Sequence, residues 1–296
     1  MACKEYLKLC EKAQNKKLKL MKKQEKQIVE IYKELYLETS KKINSLDPNS
    51  LGTRYAKVMK DIFEQEIRKA NIKVKKLILK NAETSSSLSN NVQLDFFNML
   101  NEKYDLNMEN TFISMFGSVN KEAVKEIIFG GAYKDRKGLS ERIWQDTRKK
   151  NKDIEDIIVK GLSNKSSAKD LAKELLDYIN PDINNPEYCS KRLARTVINH
   201  SFQMAQKRSC SKNPFVTGIE WQISNHGNTC PLCKDREGKI YKVSEVPLDH
   251  SNGRCCTIPV IPQSLEEVGT ELRNWIDGET NTKLDNWLKE NIKDIA

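Results

Sequence analysis

The sequence predicts an α+β fold: a mainly helical N-terminal region, a helical body, and a small β-rich lobe near the C-terminus. Three observations carry that prediction. Apolar residues recur at three- and four-residue spacing through the first two-thirds of the chain, the mark of helices with one buried face. Short apolar runs bounded by turn residues are confined to about 216–262. The same stretch holds cysteines and a histidine at metal-ligand spacing, enough to brace a lobe too small for a core of its own. Helices first and a small sheet last make an α+β chain. With 296 residues, 31% of them charged, and a mean hydropathy of −0.67, the chain has room for two modest domains with long exposed helical surfaces.

Residues 3 to about 45 form one long helix in this reading, with Ile28, Ile31, Tyr32 and Leu35 as an apolar stripe. Asp47-Pro48-Asn49 stops it, because proline lacks the amide donor and biases its neighbour away from helix. A second helix follows from about Thr53 to Lys80, with Tyr55, Met59, Ile62, Phe63, Ile67 and Ala70 on one face, and can pair antiparallel with the first. Thr84–Asn91 reads as a polar break and Leu94–Leu100 as a short helix. A denser apolar pattern begins near Thr111. Ser140 is the expected N-cap of a helix to about Val159 with Gly161 at its end, and Ser167 with Asp170 has capping-box spacing for the next. Asn180-Pro181 closes that helix, and another runs from about Pro186 to Cys210. Val216–Ser224, Lys239–Val243 and Cys255–Ile261 read as short strands. Helices near Leu265–Ile276 and Asn281–Asn291 finish the chain. Composition divides it into a basic helical region (1–110), a core with the Cys/His lobe at its end (111–262, lobe 216–262) and an acidic helical tail (263–296).

Cys230-Pro231-Leu232-Cys233 is followed seventeen residues later by His250, then by Cys255-Cys256. Two thiols two residues apart can point at one ion, and a distant His/Cys pair can complete a tetrahedron around Zn²⁺. Cys230, Cys233, His250 and Cys255 are the candidate ligands. Strand alternation leaves Cys256 as the alternative fourth. Four protein ligands leave no open position for a reactive water, so the expected zinc is structural. The other reading of these residues is ordinary buried cysteines beside an unrelated histidine. His226 reads as a solvated turn residue and His200 as a hydrogen-bonded packing residue. Trp144, Trp221, Trp275 and Trp287 read as core or docking residues. Cys3, Cys10, Cys189 and Cys210 have no paired spacing and read as reduced thiols.

These stretches resemble the phage minor head proteins, the Mu F-like head morphogenesis family. The resemblance lies in Cys230-Pro231-Leu232-Cys233, in Gly238-Lys239-Ile240-Tyr241, and in Pro247 to Val260 with His250, Asn252, Arg254 and Cys255 at matching places. It continues upstream in Gly138-Leu139-Ser140-Glu141-Arg142-Ile143-Trp144, in Ser166-Ser167-Ala168-Lys169-Asp170-Leu171-Ala172 and in Arg192-Leu193-Ala194-Arg195-Thr196. Together these cover about half the chain in the family's order. Three positions depart: Gly253 stands where the family has its first late cysteine, Ser251 replaces a proline, and Val197 replaces a glutamate after Arg-Thr. The resemblance implies a non-enzymatic, low-copy virion component in the capsid interior near the portal, present in the host cytoplasm during assembly. Its implied partners are the portal protein, the major capsid or scaffolding protein, and double-stranded DNA without sequence preference.

Charge placement bears on that last partner. Residues 1–80 carry 21 Lys/Arg against 10 Asp/Glu, whereas the rest carry 30 against 31. Such an excess favours a polyanion or an acidic protein surface. Lys16, Lys17, Lys19, Lys22, Lys23 and Lys26, spread over several helix faces, are the candidate DNA or portal contacts. No run of about 18 apolar residues exists to span a membrane, and no apolar stretch near the start predicts a secretory signal. GxxxxGK[ST], HExxH and GxSxG are absent. Two other readings compete. Asp249-His250 beside zinc-type cysteines resembles a His-Asn-His nuclease, but no histidine follows His250 to hold the catalytic cation. A plain zinc-ribbon nucleic-acid binder would carry its basic patch on the zinc lobe, whereas the excess here is N-terminal.

Overall fold

A computed structural model describes residues 3–46, 53–224 and 229–295, with side chains from 54 in the second helix and up to 291 in the last. The Asp47-Pro48-Asn49 stop and His226 with its flanking turn lie outside the described residues. The helical elements in order are α1 (Lys4–Asn44), α2 (Thr53–Tyr104), α3 (Glu109–Gly117), α4 (Val119–Ile128), α5 (Leu139–Ser163), α6 (Ala168–Ile179) and α7 (Tyr188–Ser211). Then come β1 (Gly218–Gln222), α8 (Pro231–Arg236), β2 (Ile240–Tyr241), β3 (Cys256–Val260), α9 (Leu265–Ile276) and α10 (Thr282–Ile295). The fold is α+β with a helical body, as the sequence predicts.

The polar stretch Thr84–Asn91 does not break the second helix. α2 runs through it to Tyr104. Ser85 and Ser86 are fully buried, and Ser89 and Asn90 nearly so. Ser85 Oγ donates to the Ile198 carbonyl at 2.8 Å, and Asn90 Nδ2 donates to the Phe116 carbonyl at 3.0 Å. These side chains are short enough for other helices to approach closely, and Ser85, Ser86 and Asn90 find partners there instead of competing with their own backbone.

Packing divides the chain into two compact units, and neither follows the linear division by composition. One contains residues up to 21, 81–127 and 195–296; the other contains 22–80 and 128–194. In the first, Tyr6, Cys10, Phe96, Phe97, Phe112, Phe116, Phe215, Leu284 and Trp287 share one core. Phe97 stacks on Phe112 with ring centroids 4.6 Å apart, and its plane is nearly parallel to that of Trp287. The acidic C-terminal helices are therefore built into this core through Leu272, Leu284 and Trp287, and the beginning of α1 through Tyr6 and Cys10.

The sheet belongs to the same unit. Its order is β2-β1-β3, all antiparallel, with Ile219 opposite Tyr241 on one side and Pro259 on the other. Pro259 is tolerated because β3 is an edge strand. That edge is covered: Gln14 Nε2 and Gln206 Nε2 both donate to the Thr257 carbonyl, and the Cys3 amide donates to the Ile261 carbonyl.

In the second unit, Lys42 pairs with Glu66 at 2.6 Å and Lys73 with Glu34 at 2.5 Å, an antiparallel register between the α1 and α2 segments. Ile28, Tyr32, Leu35, Met59, Phe63 and Ile67 are buried, as their stripes require. Helix α5 begins one residue before the expected Ser140 and is capped by Gly138 without a side-chain bond. Gly161 lies inside α5, where a β-carbon would come within 2.8 Å of Leu171 on α6. It is a contact glycine, not a cap. Ser167 does cap α6, accepting from the Asp170 amide at 3.1 Å. Trp144 differs from the core reading: it is 55% exposed, with the Arg148 guanidinium 4.5 Å from its ring centre.

Candidate metal centre

Pro231 opens a six-residue helix, so the first cysteine pair sits on a helix start and not at a strand end. Cys230 is the N-cap, its sulfur 3.4 Å from the Cys233 amide, and Cys233 lies in the first turn. This geometry turns both thiols to one side. Cys255 immediately precedes β3, and His250 stands in the turn before it.

The donor atoms gather in two groups that share Cys233. Cys230, Cys233 and His250 lie within 4.8 Å of one another, and so do Cys233, Asp249 and Cys255. Of the two adjacent late cysteines, Cys255 is the buried one and joins the cluster. Cys256 points its sulfur toward the Arg254 carbonyl, 3.9 Å away. A cavity of about 350 Å³ opens on Cys230, Cys233, His250 and Cys255, with Arg195 and Asn252 at its wall. Trp221 and Cys233 pack together as an apolar backing, and Arg236 lies over the Trp221 ring at 4.8 Å.

Electrostatics fit this donor set to a cation. The Cys233 amide, acting as an N-cap donor, lowers the Cys230 pKa against its burial. Burial raises the Cys233 pKa well above the usual thiol range, and Cys255, Cys230 and Asp249 add to it. Burial also raises Cys255, with Asp249 reinforcing the shift. Burial pulls His250 down, but the Ser251 carbonyl, Asp249 and Cys230 together raise it. Acidic groups this close cannot all ionise alone; a divalent ion at their centre would stabilise the thiolates and displace the protons. His250 Nδ1 lies 2.9 Å from the Ser251 carbonyl, which requires a proton on Nδ1 and leaves the Nε2 lone pair for a ligand bond. Cys230, Cys233, Asp249, His250 and Cys255 thus form a site able to hold a metal ion.

Asp249, which ligand spacing leaves out of the candidate set, also belongs to the site. Its side chain is fully buried. Oδ2 accepts from Asn199 Nδ2 and from the Cys255 amide, each at 2.9 Å, and Oδ1 accepts from the His250 amide at 2.8 Å. With both oxygens engaged by donors, Asp249 orients two of the candidate ligands through their own backbones. Gly253 makes room for it: a β-carbon there would fall 2.1 Å from Asp249 Oδ2.

One face of α7 grips the same turn. Arg195 donates to Asn252 Oδ1, Thr196 Oγ1 accepts from the Asn252 amide at 2.8 Å, and His200 Nε2 lies 2.9 Å from the Asp249 carbonyl. Gln203 Oε1 accepts from the Asp249 amide at 2.9 Å. His200 therefore has the hydrogen-bonded packing role expected of it.

The six candidate contact lysines separate. Lys16, Lys19, Lys22, Lys23 and Lys26 are exposed on α1. Lys17 is not a surface contact: it is fully buried, donates to Asn199 Oδ1 at 2.7 Å and lies 4.9 Å from the Phe202 ring centre. Burial lowers its pKa, while the negative charge of Cys256, Asp249 and Cys255 acts the other way.

A wider cleft of about 760 Å³ lies in the other unit between α5, α6 and the start of α7. Within it Lys150 pairs with Asp146 at 2.5 Å and Tyr178 donates to Asp153 at 2.8 Å, and among the described residues the metal-type donor groups lie at the Cys/His cluster, not here. No protein-family model matches the chain, and neither do any curated proteins or solved structures.

Gly253→Ala is expected to expel the Asp249 carboxylate and destabilise the lobe by at least about 2 kcal/mol, since three hydrogen bonds to a charged group are lost. Denaturant melts with hydrogen exchange over 249–260 would check this. Wild-type protection in that turn would count against the packing account.

Proposed function

We propose that this chain is a phage minor head protein of the Mu F-like kind, a non-enzymatic virion component that joins the capsid interior to the portal. It would act in head morphogenesis and in genome packaging or ejection. One observation carries the reading. Three sequence stretches on which the resemblance rests, 192–196, 230–233 and 247–256, meet at a single Cys/His cluster. Arg195 and Thr196 hold the turn that carries His250, which gives the Arg-x-Ala-Arg-Thr segment a physical purpose. Co-purification with a portal protein from infected cells is the direct test. Recovery of the chain free of portal and absent from purified particles would defeat the reading.

The ion proposed for the site is Zn²⁺, held by Cys230, Cys233, His250 and Cys255, because soft thiolates disfavour Mg²⁺ and Ca²⁺. Its role would be to brace the lobe. Elemental analysis of protein purified without chelator should find about one equivalent per chain. Cys233→Ser should lose more than half of it; full retention would remove the assignment. A hydrolytic activity on DNA or RNA that disappears in a folded His250→Ala protein would favour the nuclease reading instead.

The exposed lysines of α1 are proposed to contact DNA phosphates or an acidic portal surface. Because Tyr6, Cys10 and Lys17 are built into a core, deleting the helix would confound the test. Changing Lys16, Lys19, Lys22, Lys23 and Lys26 to Gln leaves the buried face untouched. If the lysines meet phosphates, the slope of log K against log salt should flatten by about 0.9 per lost contact. An unchanged slope would assign this surface to the portal.

A further inference from the structure

We propose that Lys17 is the buried counter-cation of the Cys/His centre, fixed there by Asn199, so that metal uptake and the seating of the first turns of α1 on the lobe reinforce each other. This rests on the metal reading above and adds a positioning residue from a distant part of the sequence.

A buried ammonium with no compensating anion costs several kcal/mol, so Lys17 at 0% exposure demands a reason. Its hydrogen-bond acceptor is the neutral amide oxygen Asn199 Oδ1, 2.7 Å away. The other end of that amide donates to Asp249 Oδ2 at 2.9 Å and to the Gly253 carbonyl at 3.3 Å. Lysine only donates and carboxylate only accepts, so the amide has one workable orientation, and it polarises toward both charges. Asp249 in turn holds the amides of His250 and Cys255.

Formal charge supports the same assignment. Three thiolates and the Asp249 carboxylate exceed a divalent ion by two negative charges. Arg195 and Arg254 line the half-exposed wall of the cavity and offset part of this charge from that side; Lys17 offsets it from the buried side. Backbone and side-chain ties along the same helix, from Cys3 to Ile261 and from Gln14 to Thr257, place Lys17 on the segment that covers the lobe's strand edge.

The test uses the full-length chain, loaded with Zn²⁺ or stripped by chelator. Lys17→Met keeps the length of the side chain without the charge. It should weaken Zn²⁺ about ten- to hundredfold in competition with a chromophoric chelator, and lower the melting point of the loaded protein more than that of the stripped one. Combined with Asp249→Asn, Lys17→Met should lower the melting point by less than the sum of the two single losses, because the pair acts as a unit. Zinc affinity within twofold of wild type, or equal melting losses in the loaded and stripped forms, would reduce Lys17 to a packing residue and overturn the proposal. Should Lys17→Met not fold, the wild-type chain still decides: stripping zinc should speed amide exchange in residues 4–21 by at least about tenfold, and unchanged exchange overturns the linkage. A wild type that takes up no zinc defeats the metal reading itself. One that binds zinc while Lys17→Met binds it equally defeats only this inference.

Discussion

The lobe is organised around a buried carboxylate. Removing Asp249 from water costs several kcal/mol unless its charge is met by well-placed donors. Here three N–H groups meet it, two of them the backbone amides of residues that carry candidate ligands. That requirement fixes much else. The turn must fold back so that the amides of residues 250 and 255 face one side chain. Residue 253 must lack a β-carbon, and α7 must bring Asn199 to the remaining lone pair. These hydrogen bonds hold the backbone that carries His250 and the Cys255 thiol.

α7 supplies most of this scaffolding from a single face. Arg195, Thr196, Asn199, His200, Gln203 and Gln206 follow helical spacing, and each reaches the 249–257 segment. A polar helix face buried this deeply needs partners, and most of them are backbone groups of a turn that cannot form a regular ladder, with Asn252 and Asp249 side chains meeting Arg195 and Asn199. The short sheet gains an aromatic backing in Trp221 and a covered edge along β3. A three-stranded sheet of two to five residues per strand would be marginal without those supports.

The same physics accounts for the placement of α1. Its positive charge divides into a solvated set and one buried member. The buried one faces the anionic side of the lobe, whereas Lys16, Lys19, Lys22, Lys23 and Lys26 remain available to phosphates or carboxylates outside. The first turns of this basic helix are part of a core with Phe96, Phe202 and Trp287.

By itself the sequence determined the α+β class, the long first helix, the three strands, the Ser167 cap and a Cys/His cluster near the C-terminus. Each follows from a local signal: apolar periodicity, turn chemistry, or ligand spacing. Tertiary structure decided what local signals could not carry. Ser85, Ser86 and Asn90 resemble a break because polar residues usually leave a helix, yet partners from other helices keep them in one. Trp144 resembles core from its neighbours but stands on the surface. Lys17 is indistinguishable from Lys16 in sequence, and only the proximity of Asn199, 182 positions away, makes it a buried cation. Asp249 stands outside the ligand set that spacing defines until the N–H groups around it are seen to converge. Cys255, and not Cys256, joins the cluster because its amide is held by Asp249 just before β3 begins. In each case the deciding interaction joins residues far apart in the chain, and its energy comes from desolvating a polar group beside a partner that no local pattern records.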